Sequence, residues 1–100
     1  AQRYPEDPRT HYFAALAAFQ KEDAPAAEAQ LREALALVRS LKGRIDYQPE
    51  FEHVLRALLA RSLLGQDQVE KAREAVLPIC QRGPEGQLPE ELEGIEQLCP

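Results

Sequence analysis

Few side chains in this sequence are suited to metal binding or nucleophilic catalysis. The candidates are two histidines, His11 and His53, and two cysteines, Cys80 and Cys99. Metal sites often take such residues from close spacings, such as C-x-x-C or H-x-x-x-H, and no two of these four residues are spaced in that way. We therefore expect no metal site.

The two cysteines allow two interpretations. A catalytic Cys80 would need a base and an oxyanion-binding turn, and no G-x-S-x-G-like sequence accompanies it, so a buried, inert thiol is favoured for Cys80 alone. Alternatively, Cys80 and Cys99 form a disulfide, which the loop-entropy model values at about 3 kcal/mol for a segment of this length. A bridge predicts an extracytoplasmic setting, whereas free thiols leave a cytosolic one equally open.

Two pairs of glutamates resemble catalytic carboxylates, namely Glu50 with Glu52 and Glu90 with Glu91. Adjacent positions on a helix point about 100° apart, and the sequence places no apolar pocket around these groups to raise one pKa. The helix macrodipole explains acidic residues in a first turn more simply. Because the glycines form no phosphate-binding loop either, we expect no enzymatic activity and no cofactor.

Charge and length bound the remaining functions. The chain has 100 residues, 12 of them basic and 17 acidic, which fits one small acidic domain. No basic residue follows Arg82, and binding to nucleic acid is not expected without a basic cluster. The longest apolar run, from Tyr12 to Phe19, is too short to span a membrane. With no visible signal peptide and no Met, the sequence favours a soluble fragment or processed product.

The pattern of apolar residues predicts an all-α chain. Alanine and leucine greatly outnumber the β-branched residues. Asp7, Asp23 and the pair Asp67 and Glu70 provide N-terminal capping signals, and Pro78 predicts a bend in the fourth helix. The predicted helices run from Pro8 to about Glu22, from Asp23 to Gly43, from Pro49 to Gly65, from Asp67 through Pro78, and from Pro89 to about Leu98.

A displacement of 45 residues matches the chain with itself along two successive helices. The apolar coincidences are Tyr12 with Ala57, Phe13 with Leu58, Ala14 with Leu59, Ala15 with Ala60, Ala18 with Leu63, Phe19 with Leu64, Ala24 with Val69, Ala27 with Ala72, Leu31 with Val76, Ala34 with Ile79 and Leu35 with Cys80. This self-similarity indicates a repeated αα-hairpin. The alternative is an unrelated bundle of four or five helices whose apolar stripes coincide.

The repeat resembles the tetratricopeptide repeat (TPR) family. The resemblance lies in the alternation of small and large residues at Ala15, Ala18, Ala27, Leu31 and Ala34, and at Ala60, Leu63, Ala72, Val76, Ile79 and Pro84. It implies two stacked αα-hairpins in one domain spanning 1–100, with repeats at about 8–42 and 49–83 and a short C-terminal capping helix at about 88–99. The sequence departs from the family in its longer period, in the missing signature Trp and Tyr, and in the size of Ile79.

A second resemblance concerns a larger parent protein. Three features are similar to the soluble C-terminal extension of some bacterial rhomboid-family membrane proteins. They are Asp7-Pro8-Arg9 leading into an aromatic, Ala-rich helix, the helix from Ala27 to Leu37, and the terminal Leu98-Cys99. This resemblance implies an accessory domain of a larger bacterial protein. No catalytic motif of that family is present in this chain.

Because metal binding, catalysis and nucleic-acid binding are not expected, the remaining function is recognition of a partner at the surface. In TPR-like stacking the first helix of each hairpin lines the concave side, which predicts a partner-binding face made of Arg9, Tyr12, Leu16, Gln20, His53, Ala57 and Arg61. Tyr12 and Leu16 would anchor apolar groups, and the arginines would hold a carboxylate or polar backbone. The alternative is that Tyr12 and Leu16 belong to the core and that the arginines are solvated. The TPR carboxylate clamp is not present.

The sequence therefore predicts a non-enzymatic protein-protein interaction scaffold. Its expected partner is a protein or peptide segment, including another part of the parent chain. Two repeats are fewer than the three usually needed for a stable array, so a structural homo-oligomerisation domain is the alternative function. An enzyme with Cys80 as nucleophile is a third, disfavoured class.

Overall fold

The computed structural model describes residues 7–41 and 49–100. Its helices are α1 (Pro8–Gln20), α2 (Ala24–Leu41), α3 (Pro49–Leu64) and α4 (Val69–Val76). Single 3₁₀ turns follow at Leu77–Ile79, Glu90–Leu92 and Glu96–Leu98. The prediction of an all-α chain is confirmed, since the described residues include no strand. None of the described helices combines the length and apolarity needed to cross a membrane.

The first two helices begin where the sequence predicts. Asp7 is the N-cap of α1, its Oδ1 accepts the N–H of Arg9 at 2.9 Å, and Pro8 takes the first helical position. The hydrogen bonds from the Arg9 side chain and N–H hold the pKa of Asp7 below its usual value. Asp23 accepts the N–H of Ala26 at 3.2 Å at the start of α2. These carboxylates satisfy N–H groups that the first turn of a helix leaves without partners.

The predicted capping box at Asp67 and Glu70 is wrong. The residue that precedes α4 is Gln68, and its side chain makes no capping hydrogen bond. Asp67 instead adopts a left-handed backbone conformation with φ of 60°. A capping residue needs an extended backbone. Asp67 is therefore part of the turn that precedes α4 and does not cap the helix.

The turns that join α1 to α2 and α3 to α4 have the same backbone structure. The first contains N–H to C=O bonds from Lys21 to Ala18, Glu22 to Phe19, Asp23 to Ala18 and Ala27 to Asp23. The second contains the bonds Gln66 to Leu63, Asp67 to Leu64, Gln68 to Leu63 and Ala72 to Gln68. These four bonds recur 45 residues later, as does the positive φ, which is 57° at Glu22 and 60° at Asp67.

Burial repeats with the same displacement. Both members are buried in the pairs Ala15 with Ala60, Ala18 with Leu63, Ala27 with Ala72, Leu31 with Val76 and Ala34 with Ile79. All of these residues except Ala18 and Ala27 belong to one core cluster. Helix α1 packs on α2, α2 on α3, and α3 on α4, so one shared core joins the four helices.

Pro78 lies within the 3₁₀ turn that follows α4. Proline has no N–H to continue the α-helical hydrogen bonding, and α4 accordingly ends at Val76. The predicted interruption of the fourth helix is confirmed.

The predicted C-terminal capping helix is not one continuous helix. Residues 88–99 contain two separate 3₁₀ turns, and Gly94 lies between them with φ of +87°. This left-handed conformation interrupts helical geometry. Leu92, Ile95 and Leu98 are nevertheless buried, because the first turn packs on α3 and the second on α4. The segment thus covers the end of the core without forming an α-helix.

A disulfide joins Cys80 to Cys99 and fixes this segment beside α4. Arg61 of α3 donates from Nη2 to the carbonyl oxygen of Glu93, which gives a second attachment. Of the two interpretations of the cysteines, the disulfide is the one that the structure contains. The bridge leaves no thiol at Cys80 for nucleophilic attack.

Candidate functional site

A groove of about 460 Å³ runs between α2, α3 and α4. Each helix contributes three lining residues, spaced one to four positions apart along the helix: Arg32, Leu35 and Arg39 from α2, Arg56, Leu59 and Leu63 from α3, and Lys71, Glu74 and Ala75 from α4. Residues three or four apart lie on one helical face, so each helix presents one face to the same space. We call this feature the α2–α4 groove.

The floor of the groove is apolar. Leu35, Leu59, Leu63 and Ala75 are buried members of the core cluster, and they line the groove with their remaining surface. Because these side chains are only 1–7% exposed, the floor is a tightly packed part of the fold. It leaves a narrow strip of apolar surface open to a bound group.

Cationic side chains dominate the rim. Arg32, Arg39 and Lys71 are exposed, and Glu74 is the one carboxylate among the residues that line the groove. Arg32 is held by Glu28, with 2.8 Å between Nε and Oε2. Across the described ranges 7–41 and 49–100, neither Arg39 nor Lys71 forms an ion pair. Lys71 nevertheless acts electrostatically on Glu28 and helps to lower the pKa of that carboxyl, so Arg39 is the rim cation with the most unused bonding capacity.

Arg56 connects α3 to α4 at the base of the groove. Its Nε donates to Oε2 of Glu52 at 3.1 Å, and its Nη1 donates to the carbonyl oxygen of Ala75 at 3.3 Å. The carbonyl lies in the last turn of α4, where a cation is favourably placed. Glu52 is buried on the same helix and orients the partly buried Arg56, whose bond to the Ala75 carbonyl then holds α4 against α3.

Glu28 links the two hairpins beside Arg32. Its Oε1 accepts a hydrogen bond from Nε2 of Gln66 at 2.9 Å, while its Oε2 bonds Arg32. The hydrogen bond from Gln66, followed by that from Arg32, holds the pKa of Glu28 below its usual value. The carboxylate therefore stays ionised and keeps Arg32 oriented along the rim.

We expect the substitution Gln66→Ala to raise the pKa of Glu28 toward its ordinary value, because the hydrogen bond that the Gln66 amide donates to the carboxylate is lost. A lowered folded-state pKa stabilises the fold above the unfolded-state pKa, and this contribution disappears as the pH falls through the folded-state value. NMR titration of the glutamate carboxyl carbons measures the shift, and Glu28→Gln identifies the signal. An unchanged Glu28 titration in Gln66→Ala contradicts the prediction.

The α1 residues that are predicted to form a partner-binding face differ in their exposure and in their contacts. Arg9 and Gln20 are exposed, and Nη2 of Arg9 lies 2.6 Å from Oδ2 of Asp7. Tyr12 and Leu16 are partly buried. The Tyr12 ring lies 5.6 Å from that of Phe51 on α3 in an edge-to-face arrangement, so Tyr12 helps to join the first and third helices.

The predicted residues from α3 do not form one exposed face. Ala57 is only 3% exposed and belongs to the core, which leaves it unable to contact a partner directly. Arg61 is exposed but is bonded to the C-terminal segment through the Glu93 carbonyl. His53 is partly buried. The seven residues stay a prediction, and the structure provides a groove elsewhere that their spacing did not indicate.

The histidines and cysteines are not assembled into a common site. Nδ1 of His11 lies 2.7 Å from Oε1 of Gln30, a contact that joins α1 to α2, and the cysteines are bonded to each other. Within the part of the chain that the structure describes, no cluster of three or more His, Cys, Asp and Glu side chains is arranged to hold a metal ion.

Sequence reasoning missed the α2–α4 groove because its cations come from three helices. The available signal was the spacing of Arg32, Leu35 and Arg39, in which a leucine lies between two arginines on one face of α2. Such a pattern is equally typical of a solvated helix flank. Only the placement of α3 and α4 beside it turns the flank into the wall of a groove.

Comparison of the chain with protein-family models, with curated proteins and with solved structures finds no match. The repeated hairpin and the groove are therefore the observations on which a functional proposal can rest.

Proposed function

We propose that this domain is a non-enzymatic, TPR-like interaction module that binds a protein segment in the α2–α4 groove. The observation that carries the proposal is the groove itself, an open space between three helices with a cationic rim and a narrow apolar floor. Binding sites for protein segments commonly combine apolar contact area with a few polar groups that fix the orientation of the ligand.

The groove is favoured over the face predicted from α1 and α3 for a physical reason. A recognition surface needs groups that are accessible and have bonding capacity left. Arg39 meets that requirement, whereas Arg9 is paired with Asp7 and Arg61 with the Glu93 carbonyl. The face predicted from α1 and α3 is therefore the competing surface in the experiment below.

The repeated hairpin supports the TPR-like part of the proposal. Equivalent hydrogen bonds and equivalent positive φ values at both turns are what a duplicated helix–turn–helix unit requires. We further propose that the domain is an accessory part of a larger bacterial protein, related to the rhomboid family, and that it works in an extracytoplasmic compartment. The Cys80–Cys99 disulfide supports that compartment, because cytosolic thiols are normally kept reduced.

Homo-oligomerisation is the second candidate function, and one surface feature favours it. Phe13 is 63% exposed, and its ring lies 5.3 Å from that of Tyr12. An exposed aromatic ring beside a partly buried one is the kind of surface that two copies of a chain can bury together. Sedimentation velocity over a wide concentration range separates the two functions, since a constant monomer removes the oligomer.

The proposed function predicts that ligands selected by the domain bind through the groove. We expect peptides recovered from a random display library to bind Arg39→Glu about tenfold or more weakly, because the variant reverses a cation of the rim. The matched control is Arg73→Glu on α4, where an exposed arginine paired with Glu70 lies outside the lining of the groove. Titration by fluorescence anisotropy measures the difference.

Two results contradict this prediction. If the selected peptides lose affinity for Tyr12→Ala and keep it for Arg39→Glu, the face predicted from the sequence is the binding surface. If the folded domain selects no peptide above background, it is not a module for short protein segments.

A further inference from the structure

We infer that the outward side of α1 is a second docking surface, which binds an amphipathic helix of another protein segment that resembles α2. This surface, which we call the α1 outer face, consists of Thr10, Phe13, Ala14, Ala17 and Lys21. The spacings of three and four positions place these residues on one side of the helix. None of them lines the α2–α4 groove, so a ligand here is additional to the one of the proposed function.

The second hairpin shows what this side of the helix does when it is covered. The equivalents of the α1 outer face, 45 positions later, lie on α3 and in the turn that follows it: Leu55, Leu58, Leu59, Ser62 and Gln66. Three of these five residues are buried, with 0–4% of their surface exposed. None of their counterparts on the α1 outer face is buried. The same side is therefore packed in one hairpin and open in the other.

Helix α2 is the element that covers this side of α3. Leu35 of α2 and Leu59 of α3 line the same groove, and Glu28 of α2 is bonded to Gln66. The 63% exposure of Phe13 shows that no described element takes the corresponding position beside α1. The contact between α2 and α3 is thus a model, within this chain, for a helix docked on the α1 outer face.

Phe13 supplies the apolar contact for such a helix. Its equivalent, Leu58, is partly buried against the core, whereas Phe13 is one of three large hydrophobic side chains exposed within residues 7–41 and 49–100. The small side chains of Ala14 and Ala17 allow another helix to approach closely beside the ring. Burial of an aromatic ring removes a large apolar area from water. The ligand helix therefore presents aliphatic side chains on one face.

Lys21 sets the charge of the ligand. It takes the position of Gln66, whose Nε2 donates to Oε1 of Glu28 at 2.9 Å. Lys21 is exposed, and among the described residues it forms no ion pair. A ligand carboxylate at the position equivalent to Glu28 would receive a charge-assisted hydrogen bond from Lys21. The ligand helix thus carries an acidic residue about seven positions before an aliphatic one, as Glu28 precedes Leu35.

A second copy of this chain fits the α1 outer face less well. The α2 helix of that copy is already packed against its own α1 and α3. Two α1 outer faces packed on each other would give Lys21 no carboxylate, because the face contains no acidic residue. The complementary ligand is therefore a helix from another protein segment.

The test titrates the 100-residue chain into a labelled peptide with the sequence of α2 (Ala24–Leu41), measured by fluorescence anisotropy. We expect Phe13→Ala to weaken binding about tenfold, because an aromatic anchor dominates the affinity of a small interface. The matched control is Leu77→Ala, which truncates another exposed side chain outside the α1 outer face and should leave the affinity within about twofold. Circular dichroism establishes that each variant is folded.

A charge exchange tests the role of Lys21. We expect Lys21→Glu to weaken binding of the α2 peptide about fivefold, because it replaces an ion pair by repulsion. A peptide with Glu28→Lys should recover affinity for this variant and lose it for the wild-type chain. Arg39→Glu in the α2–α4 groove is the matched control, with an affinity for the α2 peptide within about twofold of the wild-type value.

The outcomes distinguish this inference from the proposed function. If the α2 peptide does not bind, or binds Phe13→Ala as tightly as the wild-type chain, the α1 outer face is not a docking surface for such a helix. Absence of recovery in the charge exchange overturns the role of Lys21. A dimer in sedimentation velocity that Phe13→Ala dissociates makes a second copy the occupant. The proposed function depends instead on library peptides and their response to Arg39→Glu.

Discussion

Replacement of Cys99 by serine is expected to lower the free energy of unfolding by about 3 kcal/mol, the loop-entropy value for a bridge that closes a segment of this length. The bridge spans 19 positions from Cys80 to Cys99. Between them the backbone has only two isolated 3₁₀ turns, so little local structure orders the segment before it docks. Urea denaturation followed by circular dichroism, at constant pH and temperature, measures the loss.

The paired design separates the bridge from the side chains. Cys80→Ser, Cys99→Ser and the double variant should all lose the same stability, because each removes the one bond. Wild-type protein treated with a thiol-free reductant should approach the same value. A loss below about 1 kcal/mol in all four cases contradicts the prediction, and it would mean that burial of Leu92, Ile95 and Leu98 holds the segment without the bridge.

A local consequence should accompany the change in stability. Amide hydrogen exchange is expected to accelerate in residues 88–99 on loss of the bridge, and to change less in α1, which lies in the other hairpin. The contact between Arg61 and the Glu93 carbonyl alone is too weak to replace a covalent link. Reduction thus loosens one end of the core before the whole domain unfolds.

The helices and their repeat could be predicted from the sequence because they depend on local and periodic signals. Ala27 and Ala72 occupy equivalent positions, and both are buried. The turns agree even more closely than the side chains, since Glu22 and Asp67 share a left-handed conformation although neither is glycine. The two turns thus share a backbone structure although the residues that form them differ.

The errors arose where local signals compete with the fold. Asp67 has the sequence pattern of a capping residue, but the turn requires a left-handed residue at that position, and the cap falls one residue later. The C-terminal segment has helical spacing of its apolar residues, but Gly94 interrupts it and the disulfide fixes a course along α3 and α4. Both outcomes depend on tertiary contacts that spacing does not reveal.

The site was less predictable than the fold for a related reason. Arg61 is exposed, as a binding residue should be, yet its guanidinium is used by a carbonyl 32 positions away in sequence. Arg39 has no such partner among the described residues. The sequence identifies both residues as surface arginines. Only the packing of neighbouring segments distinguishes Arg61, which has a structural role, from Arg39, which is available to a ligand.

Truncation of Leu31 is expected to destabilise the whole domain, with Leu31→Ala costing roughly 2–5 kcal/mol. Leu31 is fully buried on α2, the helix that packs against both α1 and α3, so the cavity falls where the two hairpins meet. The matched control is Leu77→Ala, since Leu77 is 58% exposed and its truncation should cost about 0.5 kcal/mol or less. Urea denaturation measures the loss of stability in both variants.

Because the hairpins share one core, Leu31→Ala should still unfold in a single transition at a lower midpoint. Equal losses for the two leucines would contradict the burial-based prediction. Two separate transitions would show that the hairpins are independent units and that the α2–α4 groove, which draws its walls from both, has no common scaffold.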